Sequence, residues 1–349
     1  MKKHIKLLSS ISLFLVLAAP TFGLATNGDE EVRKKRTISK SYNVSADDKL
    51  EIENSFGNVV VNTWDKSEIT VDIEIGARAS TEQRAQDIMD ELDVKEAHDG
   101  NIIVFKTKVG EIHNGGDSKH RSDNDENRSF YIDYVIHMPA ANRLQLENSF
   151  GKTTVPDYKG EVNLTSKFGS LTAGILNNVD AIDVEFGKAE ITELRNGKAS
   201  FKFDKIVHVG KVSGNVKLTS EFSHDVQFNI GDNIEDLSVF ESYSGVRVIV
   251  TKSLSAQIDV HTSFGSFHND SEFAIREERE GDNDYGPHFD KDYTGKAGDG
   301  KAKIKIKSSF GSVRVSHIGG SDKEDDDRGK GKDKDKDKDK DKDDDSTTK

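Results

Sequence analysis

A Ser-Phe-Gly triplet recurs along this chain, and the recurrence restricts the fold to a stack of similar strands. It stands at Ser55-Phe56-Gly57, Ser149-Phe150-Gly151, Ser263-Phe264-Gly265 and Ser309-Phe310-Gly311. Looser copies lie between them: Lys167-Phe168-Gly169, Glu185-Phe186-Gly187, Lys202-Phe203-Asp204, Glu221-Phe222-Ser223 and Ser242-Tyr243-Ser244-Gly245. From Phe150 to Phe264 the aromatic returns about every 18–21 residues, a period of stacked arrays rather than of closed globular cores. The 349 residues therefore need not divide into domains by length, because such an array grows one unit at a time.

Aligned on the aromatic, the copies share apolar columns. Four residues before it stand Ile52, Leu146, Leu164, Ile182, Leu218, Val239, Val260 and Ile306. Three residues after it stand Val59, Leu171, Ala189, Val246, Phe267 and Val313. The two sides alternate with opposite parity, so one residue is absorbed at the corner between them. The glycines Gly57, Gly151, Gly169, Gly187, Gly265 and Gly311 are expected to turn this corner through positive φ. The aromatics Phe56, Phe150, Phe168, Phe186, Phe222, Tyr243, Phe264 and Phe310 are expected to form a ladder inside. The predicted architecture is all-β: a single-stranded parallel β-solenoid, right-handed by the usual rule for parallel crossovers, with a small α+β insertion.

Two further columns bear on stacking. Just before the aromatic, Lys167, Glu185, Lys202 and Glu221 alternate in sign, which suits in-register strands about 5 Å apart. Two residues before it, Asn54 and Asn148 match across a long stretch of chain. An inward amide ladder there makes the Phe56 and Phe150 copies neighbours.

The expected organisation is a signal peptide over 1–25, the repeat domain over 26–318 and a disordered Lys/Asp-rich tail over 319–349. The start pairs Lys2, Lys3 and His4 with an apolar run from Ile5 to Ala19 and small residues at Gly23 and Ala25, a run too short to span a membrane. No transmembrane segment is expected after its removal. The tail has nothing apolar to bury. Insertions are expected at about 66–143 and 269–300. In the first, Ile69 to Ile75 alternate as a strand, Ser80 and Gln83 fit a capping box before a short helix, and His98-Asp99-Gly100-Asn101 marks a hairpin. The final copy, Ile304–Ile318, is expected to dock back onto the stack once the chain has passed the second insertion. With no Cys in the chain, stability has to come from stacking rather than disulfides.

The net charge of −13 argues against nucleic acid as a partner. No catalytic triad order, phosphate loop or zinc motif is present. His113, His120 and His137 are scattered histidines, and Asp282-Asn283-Asp284-Tyr285-Gly286 lacks the remainder of a calcium loop. Asp183 and Glu185 share a strand face, the arrangement a polysaccharide-active β-helix enzyme needs. No catalytic residue, cofactor or metal site is assigned.

The signal-like start, the segment Leu144-Gln145-Leu146-Glu147-Asn148-Ser149-Phe150-Gly151 and the short Phe-Gly copies after it resemble a family of exported bacterial proteins labelled putative adhesins. The resemblance covers roughly residues 40–318 and suits a member from the Bacteroidetes. It implies a β-solenoid in the periplasm, on the outer-membrane surface or outside the cell. The expected function is non-catalytic binding of a glycan or an envelope protein. The alternatives are a periplasmic accessory of envelope signalling with a membrane partner, and a polysaccharide-active enzyme.

Overall fold

A computed structural model of the chain describes residues 31–110, 129–278 and 289–317. The signal-like start, the tail, His113, His120 and the Asp282–Gly286 run lie outside the described residues. The chain forms two compact units, residues 1–153 and 154–349. Its described residues are overwhelmingly β, with one helix among them, and most pairings are parallel.

In the first unit the two matching copies lie side by side. Strand Lys49–Ser55 pairs parallel with Arg143–Ser149, aligning Ile52 with Leu146 and Asn54 with Asn148. Both asparagines are buried, and Asn54 Nδ2 donates to Asn148 Oδ1 at 3.1 Å. The remaining donor capacity is also used: Asn54 donates to the Ile132 carbonyl at 3.0 Å, and Asn148 to the Gly57 carbonyl at 3.1 Å and to Thr153 Oγ1 at 3.2 Å. A buried amide persists only when its donors are so satisfied.

The expected insertion is woven into the same sheets. Its strand Ile102–Val109 pairs parallel with Lys49–Ser55, and Ser129–Pro139 pairs parallel with Val59–Trp64. Strand Glu68–Ala79 runs antiparallel to Val32–Asn43 on one side and Ser129–Pro139 on the other. Ile69, Val71, Ile73 and Ile75 all point inward from it and are fully buried. The helix is Glu82–Asp90, and it buries Ala85, Ile88 and Met89. Thr81 rather than Ser80 caps it, accepting the Arg84 N–H on Oγ1 at 3.3 Å. The hairpin at His98–Asn101 forms as read, with Asp99 opposite Ile102 and Gly100 at φ 59°.

In the second unit the strands stack parallel and in register. Tyr158–Lys167, Ser170–Glu185, Lys188–Lys202, Ile206–Glu221 and Val226–Ser242 pair in that order. The apolar columns fall on top of one another: Leu164, Ile182, Ala199, Leu218 and Val239 align and are buried. The charge column also aligns, with Glu185 between Lys167 and Lys202, and Glu221 beyond.

Past Val239 the stacking order leaves the sequence order. Strand Ala302–Ser309 pairs with Val226–Ser242 on one side and Ala256–Ser263 on the other. The last copy thus docks back between the Tyr243 and Phe264 copies. Strand Asp290–Ala297 follows, antiparallel to both Ala256–Ser263 and Ala274–Glu277.

Candidate functional site: an exposed aromatic ladder

The aromatic of each copy, not its glycine, turns the corner. Phe168, Phe186, Phe203, Phe222, Tyr243, Phe264 and Phe310 have φ between 51° and 58°, and Phe56 and Phe150 have 64° and 59°. The left-handed region costs a residue with a Cβ roughly 1–2 kcal/mol. A residue there also breaks the in–out alternation, so the ring that parity would place inside is thrown outward. Phe186 is 49 % exposed, Phe222 45 % and Phe264 54 %. The expected interior ladder is an exterior one.

The glycines serve a different purpose. None of Gly57, Gly151, Gly169, Gly187, Gly265 or Gly311 is at positive φ. A Cβ on Gly187 would lie 2.2 Å from the Gly169 carbonyl oxygen, and one on Gly151 would lie 1.7 Å from that of Gly57. Backbone packs directly on backbone here, and no side chain fits between.

In the second unit the rings form one column. The centroid distances are 5.0 Å for Phe168–Phe186, 4.9 Å for Phe186–Phe203, 5.1 Å for Phe203–Phe222 and 4.8 Å for Phe222–Tyr243. Tyr243–Phe310 at 4.9 Å and Phe310–Phe264 at 5.0 Å continue it. Ring planes along this run agree within 4°. Phe289 stacks on Phe264 at 4.7 Å, turned by 18°. The ring spacing is the strand spacing, because the corner itself is hydrogen-bonded. Phe168 N–H donates to Glu185 O at 2.9 Å, Phe203 to Glu221 O at 2.9 Å, and Phe310 to Ser263 O at 2.9 Å. The first unit has a shorter column: Phe56 stacks on Phe150 at 4.9 Å, and Phe130 meets Phe56 at 5.1 Å, tilted by 59°.

Beneath the long ladder, three copies replace the glycine with Asp204, Ser223 and Ser244. Each reaches back to the neighbouring copy. Asp204 Oδ1 accepts from Gly187 N at 2.8 Å, Ser223 Oγ from Asp204 N at 3.1 Å, and Ser244 Oγ from Ser223 N at 3.0 Å. Glu241 closes the series, accepting the Ser244 N–H at 2.6 Å and a short bond from Ser308 Oγ. Asp204 is fully buried and its Oδ2 has no hydrogen-bond partner. Burial therefore pushes its pKa up to about 7, against two backbone hydrogen bonds that favour the anion. Burial raises the Glu241 carboxyl in the same way.

Glu193 behaves oppositely. Arg195 grips it with Nε at 2.9 Å and Nη2 at 3.0 Å, Ser213 Oγ donates at 3.0 Å, and Lys211 lies 3.4 Å away. These partners, Arg195 foremost, hold its pKa at about 2 despite burial. Asp183 lies between Thr165 and Ser200 in the register. The ring of His137 stacks on Trp64 at 5.2 Å. Among the described residues no cluster of three His, Asp or Glu side chains is placed to hold a metal ion. No helix among them is long and apolar enough to cross a membrane.

Sequence reading found the columns and most of their members. It missed Phe130 and Phe289, which sit in the insertions with no glycine after them. The polar series was legible in principle, since Asp204, Ser223 and Ser244 occupy the glycine position of their copies.

No family model matches the chain. No curated protein matches it either. Solved structures do. A putative cell adhesion protein from Clostridium sporogenes is 12 % identical over 82 % of this chain and 100 % of its own, with a TM-score of 0.22. A putative adhesin from Bacteroides fragilis is 13 % identical over 80 % and 97 %, with a TM-score of 0.35. A putative lipid binding protein from Parabacteroides distasonis is 10 % identical over 80 % and 96 %, with a TM-score of 0.28. Putative adhesins from Bacteroides and Clostridium thus stand among the proteins this chain is similar to, in line with its Leu144–Gly151 motif.

Proposed function

We propose that this is a non-catalytic binding protein of the bacterial envelope, built as a parallel β-solenoid and exported through its N-terminal segment. Its working surface is the aromatic ladder of the second unit. The observation that carries this reading is the continuous row of half-exposed rings from Phe168 to Phe289. A contiguous apolar row of that length marks an interaction surface far more often than an idle one.

The stacking also supports one of the partners expected from the sequence over the other. Sugars are gripped on open aromatic faces, and each face within this ladder is covered by the next ring. Only ring edges project, as a ridge. A ridge of edges suits a groove on another envelope protein better than a glycan.

The test starts with location: cell fractionation and protease shaving of intact cells. Envelope fractions are then incubated with the purified chain and with a Phe186→Ser, Phe203→Ser, Phe222→Ser variant whose fold is checked by circular dichroism. The reading expects an envelope location and retention of the parent chain but not of the variant. A cytoplasmic location, or equal retention, overturns it.

A further inference from the structure

The first unit carries a second, smaller aromatic site with an uncompensated cation on its rim. An open cavity of about 510 Å³ is lined by Phe56, Phe130, Phe150, Tyr131, Arg78 and Asp133, among others. That is the size range of small-ligand sites. Its apolar walls are the stacked Phe56–Phe150 pair and the tilted Phe130 ring.

The Tyr131 ring is fixed in place. It lies across Gly76, where a Cβ would come within 2.3 Å of the ring. Its hydroxyl donates to Glu74 at 2.6 Å, and Lys35 holds the same carboxylate at 2.7 Å. Asp133 is engaged as well, accepting the Asn58 N–H at 2.6 Å. Both carboxylates of the site therefore have partners.

Arg78 has none. The residue is half-buried, and its guanidinium has no hydrogen bond or ion pair among the described residues. The register places it directly opposite Arg33, whose own partner, Glu31, is 3.7 Å away. Like charges directly opposed across antiparallel strands are unfavourable. An anion seated between the two guanidiniums reverses the sign of that interaction, and a planar guanidinium fork matches a carboxylate in particular.

We infer that this cavity binds a small aromatic carboxylate, its ring against Phe56, Phe130 and Phe150 and its anionic group on Arg78. The inference does not depend on the function proposed for the ladder.

The experiment titrates the full chain with 2-naphthoate and with its neutral analogue 2-naphthylmethanol, following backbone amide resonances by NMR. Saturable shifts are expected at Gly57, Asn58 and Tyr131, with the alcohol binding at least ~10-fold more weakly. Arg78→Gln should bring the acid down to the level of the alcohol. Arg78→Lys should restore part of the difference, and only where charge is retained should added salt weaken binding. Equal binding of acid and alcohol overturns the assignment. So does an unchanged acid affinity in a folded Arg78→Gln chain, or shifts that never saturate.

Discussion

The Phe310 ring lies on the Tyr243 ring with centroids 4.9 Å apart and planes 2° from parallel, although the whole Phe264 copy separates them in the sequence. Both residues hold positive φ, 58° and 52°. The ladder therefore sets an exposed aromatic stack against the backbone cost of the corner that projects it.

That opposition gives an unusual substitution order. Phe203→Ala loses both stacking contacts, each worth about 0.5–1.5 kcal/mol, and keeps the left-handed backbone. Phe203→Gly loses the same contacts and recovers about 1 kcal/mol of corner strain. Urea unfolding should place Ala about 1–2 kcal/mol below the parent chain and Gly above Ala. An Ala variant as stable as Gly would contradict the corner assignment.

The glycine column responds to volume instead. The Gly169 carbonyl oxygen lies 2.2 Å from the point a Cβ on Gly187 would occupy. Even Gly187→Ala should therefore cost more than ~2 kcal/mol, because a backbone atom has to move. Gly187→Val should be worse still. Gly100, with φ 59° and open space around its Cβ position, should lose only about 1 kcal/mol on change to Ala. Parallel melting curves of the two alanine variants check this, and similar losses would mean that φ rather than contact governs both.

Asp204 makes stability fall with rising pH. Its folded pKa, about 7, lies above its ordinary 3.8. Its contribution is complete below pH ~4, declines as the pH rises to about 7 and is flat beyond. Asp204→Asn keeps an oxygen for the Gly187 N–H and cannot ionise. Denaturation midpoints measured from pH 4 to 8 should flatten in that variant, with the gain concentrated at pH 8. A parental pH slope that survives in Asp204→Asn would place the titrating group elsewhere.

Glu193 gives the mirror image. Its folded pKa, about 2, lies below its ordinary 4.5, so its contribution is present above pH 4.5 and is lost as the pH falls toward 2. Glu193→Gln should cost about 2 kcal/mol at pH 7. That is less than the roughly 3–5 kcal/mol of a fully buried pair, because Arg195 and Lys211 stay in contact with water. The variant should also lose the acid-side decline of the parent chain. A variant that matches the parent at pH 7 would show the Arg195 grip to be energetically idle.

Strand parity is local, and so it was legible. The columns through Ile182 and Leu171, the alternating Lys167–Glu185–Lys202 register and the Asn54–Asn148 pairing all follow from residues that repeat at fixed offsets from an aromatic. The direction of the aromatic itself was not legible. Parity counting assumes extended backbone at each position, and one left-handed residue at Phe186 inverts the result. Glycine after phenylalanine reads as a turn, yet the need for it arises only when another copy packs its carbonyl oxygen against Gly187.

By itself, then, the sequence determined the strands, their inward faces and the family of copies that match, because side-chain alternation and repeat spacing are properties of single segments. Tertiary structure alone decided that the rings face outward and that Phe310 enters between Tyr243 and Phe264. It alone brought Arg78 opposite Arg33 beside the Phe56 and Phe150 rings. Strand edges offer the same hydrogen-bonding groups to any parallel partner, so the order in which copies stack is chosen by how their whole surfaces fit and not by any spacing along the chain.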